Sequence, residues 1–164
     1  MKTITWILRL LLLVMVLVML VGCGYYEVPY TFRQDLVNVT KVEICEFDPA
    51  PNDRDASKRK MILQLSKSDA QSITEEISTL KCIEKSVIGY VPQGYGRLAI
   101  CLTYANGEIE LIGMGVNGYI TSNGKEYLTN YCNNARDIYD LILKYVDPEL
   151  LPDLRSEYPE EWFS

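Results

Sequence analysis

Three Asn-Gly dipeptides, Asn106-Gly107, Asn117-Gly118 and Asn123-Gly124, punctuate a β-branched and apolar stretch of this 164-residue chain. Asn-Gly accepts the positive φ values of a tight hairpin turn, so each is a local signal for antiparallel pairing. The first is the clearest. Arg97 to Tyr104 reads as a strand, and Ala105-Asn106-Gly107-Glu108 as a type I′ turn that returns it. With Ala105 opposite Glu108, Leu102 faces Leu111 and Tyr104 faces Ile109 on one side of the sheet, and Thr103 faces Glu110 on the other. Ser122-Asn123-Gly124-Lys125 joins 119–121 to 126–128 as a second, shorter hairpin.

The remaining elements follow from periodicity. Val37 to Phe47 alternates and is rich in β-branched residues, Met61 to Leu65 places three apolar residues on one face, and Lys81 to Val87 supplies a further strand. Asp48 to Lys60 is a long polar loop of Pro, Asp and charge. Ser66 to Leu80 has helical spacing (Ala70, Ile73, Ile77, Leu80), with Ser68 and Gln71 at capping-box separation. Asn134 to Val146 is a second helix, capped by Asn134 and striped by Ile138, Leu141, Ile142 and Tyr145; Asp147-Pro148 ends it. Together these predict an α+β fold in the order β-β-α-β-β-β-β-α. It has a single mainly antiparallel sheet of about six strands, with both helices on one face. Val42, Ile44, Leu63, Leu98, Ile100, Leu102 and Leu111 are expected on that face. This domain spans 37–147. Residues 148–164 form an acidic tail whose composition favours mobility, while its closing Trp162 and Phe163 favour docking.

The N-terminus carries a different kind of signal. Lys2 and Arg9 precede Leu10 to Val21, about a dozen continuous apolar residues, followed by small Gly22 and Cys23. Leu20-Val21-Gly22-Cys23 resembles, position by position, the lipobox of a bacterial lipoprotein signal. That resemblance implies that 1–22 is a signal peptide cleaved after Gly22. It also implies that Cys23 carries a diacylglyceryl group and that 23–36 tethers the domain to the extracytoplasmic face of the cell membrane. The alternative is an uncleaved signal anchor over Ile4 to Val21, interrupted by Arg9. Beyond the signal, the chain looks like the small lipoproteins of Gram-positive bacteria that lack an assigned activity. It resembles no named functional family.

Charge and composition then restrict function. The full chain carries a net −6, and losing Lys2 and Arg9 takes the mature chain to about −8, which argues against a nucleic-acid partner. Histidine is absent, which removes the commonest general base and metal ligand and rules out Ser-His or Cys-His catalysis. Glu108 and Glu110 read as solvated charges, and Asp53 and Asp55 lack the Gly and closing Glu of a calcium loop. No catalytic residue, metal site or cofactor is therefore expected, and the chain reads as non-enzymatic.

With Cys23 on lipid, Cys45, Cys82, Cys101 and Cys132 permit two disulfides in three pairings, or four free thiols. A hairpin centred on the Ile88–Tyr95 loop sets Cys82 opposite Cys101, at bridging distance. Cys45 with Cys132 follows by elimination. The open sheet face (Thr103, Glu110, Ile112, Met114) and the loop tyrosines Tyr90 and Tyr95 are the expected contact surface for a protein partner, in an accessory, inhibitor or sensor role. The competing reading is a small-ligand or glycan-binding module using tyrosines such as Tyr90, Tyr95 and Tyr119.

Overall fold

In a computed structural model, which describes residues 26–47, 59–84, 96–129 and 131–163, the centre of the molecule is the strand Leu98–Tyr104. Six of its seven residues are buried, because it is covered on both faces. The strands in chain order are β1 Tyr26–Pro29, β2 Val39–Glu46, β3 Lys60–Gln64, β4 Lys81–Glu84, β5 Leu98–Tyr104, β6 Ile109–Gly113, β7 Asn117–Ile120, β8 Glu126–Leu128 and β9 Tyr131–Cys132. Helix α1 spans Lys67–Ser78, between β3 and β4, and α2 spans Ala135–Leu143, after β9.

The fold is α+β. A six-stranded antiparallel sheet runs β3-β2-β5-β6-β7-β8, and a separate three-stranded antiparallel sheet runs β1-β4-β9. The second sheet is a departure from the single sheet read in the sequence. β4 does not pair with β5; Val28 lies opposite Cys82, and Ile83 opposite Cys132. Residues 26–36, expected as tether, are thus part of the domain. Pro29 closes β1 at the edge of its sheet, where a missing N–H costs no ladder bond.

One core holds the two sheets and both helices together. Ile73 and Ile77 of α1 and Ile138, Leu141 and Ile142 of α2 pack with Val42, Ile44, Leu98, Ile100, Leu102, Tyr104 and Ile112. Cys82 of the smaller sheet and Tyr30, just after β1, belong to the same core. The opposite face of the large sheet carries a second cluster: Cys45, Phe47, Ala99, Cys101, Leu111 and Ile120. Leu111 therefore lies on the far side from the helices.

That reversal comes from the first hairpin. Cys101 pairs with Leu111, Leu102 with Glu110 and Thr103 with Ile109, one residue away from the two-residue-turn register. Ala105-Asn106-Gly107 is a three-residue loop: the Glu108 carbonyl accepts from the Tyr104 N–H, Tyr104 accepts from the Gly107 N–H, and only Gly107 has positive φ, at 83°. This is the three-residue hairpin with a closing glycine in the left-handed region, whereas type I′ needs positive φ at both central positions. Ser122-Asn123-Gly124 repeats it, with Thr121 paired to Lys125 and Gly124 at φ 83°. Asn117-Gly118 is no turn at all; both residues lie inside β7.

The helix ends obey ordinary capping. Ser66, rather than Ser68, caps α1 by accepting from the Asp69 N–H, and Asn134 caps α2 by accepting from Arg136. After α2 the chain docks. Leu154 is fully buried, Trp162 stacks on Tyr158 at 5.1 Å and on Tyr139 at 6.2 Å, and Arg97 binds both Glu46 and Glu157 at 3.0 Å.

Candidate functional site

The hairpin register lines up one row across the helix-side face of the large sheet: Leu102, Glu110, Tyr119 and Tyr127 are successive cross-strand neighbours. Over this row runs the strap from Tyr30 to Gln34, which leaves β1 and crosses onto the sheet. A carboxylate under such cover is costly unless its lone pairs are filled. Glu110, 3 % exposed, has them filled from two directions. The Tyr30 and Tyr104 hydroxyls both donate to it, and the Arg33 backbone N–H reaches its two oxygens at 3.2 and 3.1 Å.

The electrostatics follow from this burial. Desolvation lifts the Glu110 carboxyl above its ordinary range, and the three donors offset that only in part. Burial first, and the Glu110 charge second, push Tyr30 well above its usual value; burial and the hydrogen bond to Glu110 do the same for Tyr104. Both phenols therefore stay protonated and remain donors.

Outside the carboxylate, the strap is held by charge and ring contacts. Arg33 Nε lies 3.3 Å from Glu108, and Gln34 Nε2 donates to the same carboxylate at 2.7 Å. Hydrogen bonding from Arg33 is the leading reason that Glu108 is held below the ordinary carboxylate range. The Arg33 guanidinium sits 3.3 Å above the centroid of Tyr119, which in turn stacks on Tyr127 at 5.1 Å; the Lys125 ammonium lies 5.0 Å from the Tyr127 centroid.

Between the strap and the chain leaving β8 is a cleft of about 200 Å³. Its floor is Glu110 and Tyr119, one wall is Tyr30, Thr31 and Arg33, and the other is Thr129 and Tyr131. It lies where the two sheets meet, since Tyr131 opens β9 while Tyr119 belongs to β7. With Arg33 and Tyr127 both packed on Tyr119, Tyr131 is the ring on the rim best able to receive a ligand. A wider concavity of about 660 Å³ shares Tyr30, Thr31 and Arg33 and continues along the strap to Asn38. A third, of about 530 Å³, lies under the C-terminal segment among Leu143, Leu151, Trp162 and Phe163. It lacks a comparable convergence of buried polar groups.

The sheet-face part of the expected contact surface is not exposed as one face. Glu110, Ile112 and Met114 are buried on the helix side, and Thr103 points to the opposite face. The one-residue shift of the hairpin is the cause, since it moves every side chain of β6 to the other face. Tyr119 is half-buried in its stack rather than free. Cys82 belongs to the helix-side core and Cys101 to the cluster on the far face of the large sheet, so the anticipated cross-strand pair does not form; Cys45 and Cys132 lie in different sheets, and all four cysteines are free and buried. Leu20, Val21, Gly22, Cys23, Tyr90 and Tyr95 lie outside the described residues. Among the described residues no cluster of His, Cys, Asp and Glu could hold a metal, and no helix is long and apolar enough to cross a membrane.

Arg33 and Tyr131 are not singled out in the sequence; Tyr30 reads there only as a tether residue able to touch the domain, and Tyr104 only as a strand residue of the hairpin. Only one hint was there: the segment 30–33 (Tyr-Thr-Phe-Arg) is too aromatic for a solvated leash. Comparison with family models, with curated proteins and with solved structures gives no match for this chain.

Proposed function

We propose that this chain is a lipid-anchored, extracytoplasmic, non-enzymatic domain that captures a small neutral hydroxylated molecule, a single saccharide unit, in the Tyr30–Tyr131 cleft. One observation carries the reading: aromatic rings and a buried, hydrogen-bonded carboxylate converge on a half-open cleft at a sheet junction. That is how small-molecule sites are commonly built, with apolar walls and a few placed polar groups.

Charge narrows the ligand. Glu108 and Glu110 outnumber Arg33, whose guanidinium is already engaged by Glu108 and Tyr119, so an anion gains little there. A volume of about 200 Å³ suits one sugar ring, not an extended chain. A pyranose laid on Tyr131 would present hydroxyls toward Thr129 and Thr31 on the two sides of the cleft, while Glu110, already filled by its own donors, fixes the strap that forms the wall. Against the protein-contact reading, three of the four sheet residues expected to carry it (Glu110, Ile112 and Met114) are buried.

The test is ligand-observed NMR with a panel of neutral and N-acetylated mono- and disaccharides. Specific transfer to one sugar class, lost in Tyr131→Ala under conditions where that variant is still fully folded and kept in Tyr131→Phe, is the expected result. Absence of any transfer at up to about 10 mM sugar, weaker than even a millimolar site, would overturn the reading and return protein contact to first place.

A further inference from the structure

The second core cluster holds a pair of cysteines that the sequence did not put together. β2 and β5 run antiparallel with Cys45 opposite Ala99 and Glu43 opposite Cys101, so the two cysteines are diagonal neighbours on the same face. Both are fully buried, and each is the leading influence on the other's thiol. Diagonal positions across a strand pair lie about 7–8 Å apart, so a bridge needs β2 and β5 to draw in by about 1–2 Å at this point to reach ordinary disulfide separation.

We propose that Cys45 and Cys101 are the disulfide-forming pair of this protein, bridging β2 to β5, while Cys82 and Cys132 remain thiols. The neighbouring Cys101 lowers the Cys45 thiol below the usual range while Cys101 itself is pushed up, so Cys45 is the more readily ionised of the two. In the first step, during folding and before the cluster closes over the pair, the Cys45 thiolate attacks a small-molecule disulfide such as oxidised glutathione, forming a mixed disulfide and releasing one reduced glutathione. Cys101 gives up its proton and attacks the Cys45 sulfur, releasing the second. Two protein thiols are oxidised and one glutathione disulfide is reduced to two thiols.

The other pair is placed differently. Cys132 lies opposite Ile83, not opposite Cys82, so adjacent positions in the register turn the two side chains to opposite faces of the small sheet. Cys82 instead donates to Asn133 Oδ1 at 2.8 Å, and burial pushes its thiol up to about 11, which makes it a poor nucleophile.

The test uses the chain from Gly24 to the C-terminus, which leaves out the lipid-bearing Cys23, reduced, unfolded and refolded in a glutathione redox buffer. It is then alkylated, digested after Lys and Arg without reductant, and read by mass spectrometry. Each cysteine falls on its own peptide: 42–54 carries Cys45, 82–85 carries Cys82, 98–125 carries Cys101 and 126–136 carries Cys132. A dominant cross-link of 42–54 to 98–125, with Cys82 and Cys132 alkylated, is expected. The Cys82→Ser/Cys132→Ser variant keeps that cross-link and Cys45→Ser loses it. If all four cysteines are alkylated, or if the main cross-link joins any other two peptides, the proposal is overturned.

Discussion

Glu110 is where the chemistry of single residues is most exposed to test. Its carboxyl is held above the ordinary range by burial, so the folded protein binds that proton more tightly than the unfolded chain does. Stability must then fall as pH rises from the unfolded value, about 4.3, through the raised folded value, and stay level above it. Glu108, held low by Arg33, acts in the opposite sense at lower pH. The difference between wild type and Glu110→Gln therefore isolates the buried group: denaturant midpoints measured from pH 4 to 8 should show wild type losing ground to the variant as pH rises. A difference that does not change with pH would mean that Glu110 titrates as it does in the unfolded chain. None of this was legible in the sequence, where Glu110 alternates with Glu108 and both look like solvated strand charges. What separates them is Tyr30, eighty residues away in the chain, a contact that no local pattern encodes.

At the scale of elements, the hairpins show where patterning informs and where it fails. Asn-Gly located both turns, and the flanking apolar runs identified β5 and β6, but the loop was one residue longer than the two-residue form. The missing information was parity. Leu98, Ala99, Ile100, Cys101 and Leu102 are all fully buried, so β5 is apolar on both faces and offers no alternation to fix which face is which. Strand β4 was misassigned for a related reason, since its true partner β1 hid in a short segment ending in proline. Helices were easier, because capping and 3.6-residue spacing are local; α1 and α2 are each recovered within three residues of either end. The loop geometry itself predicts a measurable cost. Gly107 has φ 83°, and a Cβ placed there would meet nothing closer than Ser122 Cβ at 3.8 Å. The penalty of Gly107→Ala is therefore conformational alone, about 1–2 kcal/mol, read as a lower denaturant midpoint with unchanged slope. Gly107→Asn should lose less, because Asn tolerates the left-handed region. Equal losses for the two would point to a steric clash in place of backbone strain.

For the whole molecule, the consequence of ordering residues 26–36 is one of position. Had 23–36 been a free leash, the domain could have stood several tens of Å above a bilayer. Instead Tyr26 already belongs to β1, and an extended chain spans at most about 3.3–3.6 Å per residue. Anchored through Cys23, as we propose, the start of β1 is then held within about 10 Å of the lipid-bearing cysteine. Tyr26 lies opposite Glu84, and Glu84 opposite Tyr131, so the rim of the cleft is only two strand spacings, about 10 Å, further across the sheet. The docked C-terminal segment does not lengthen this reach, since Trp162 and Leu154 tie it back to the core. A membrane-proximal cleft would favour saccharide carried at or near the bilayer surface over sugar free in bulk. Neutron reflectometry on the lipidated protein in a supported bilayer checks the geometry directly. Protein density should begin at the headgroup layer, and a flexible ten-residue Gly/Ser insertion after Gly24 should move it outward. Density already separated from the headgroups by a solvent layer of several tens of Å in the unmodified protein would show that β1 detaches on the membrane, and that the strap over Glu110 is not held there.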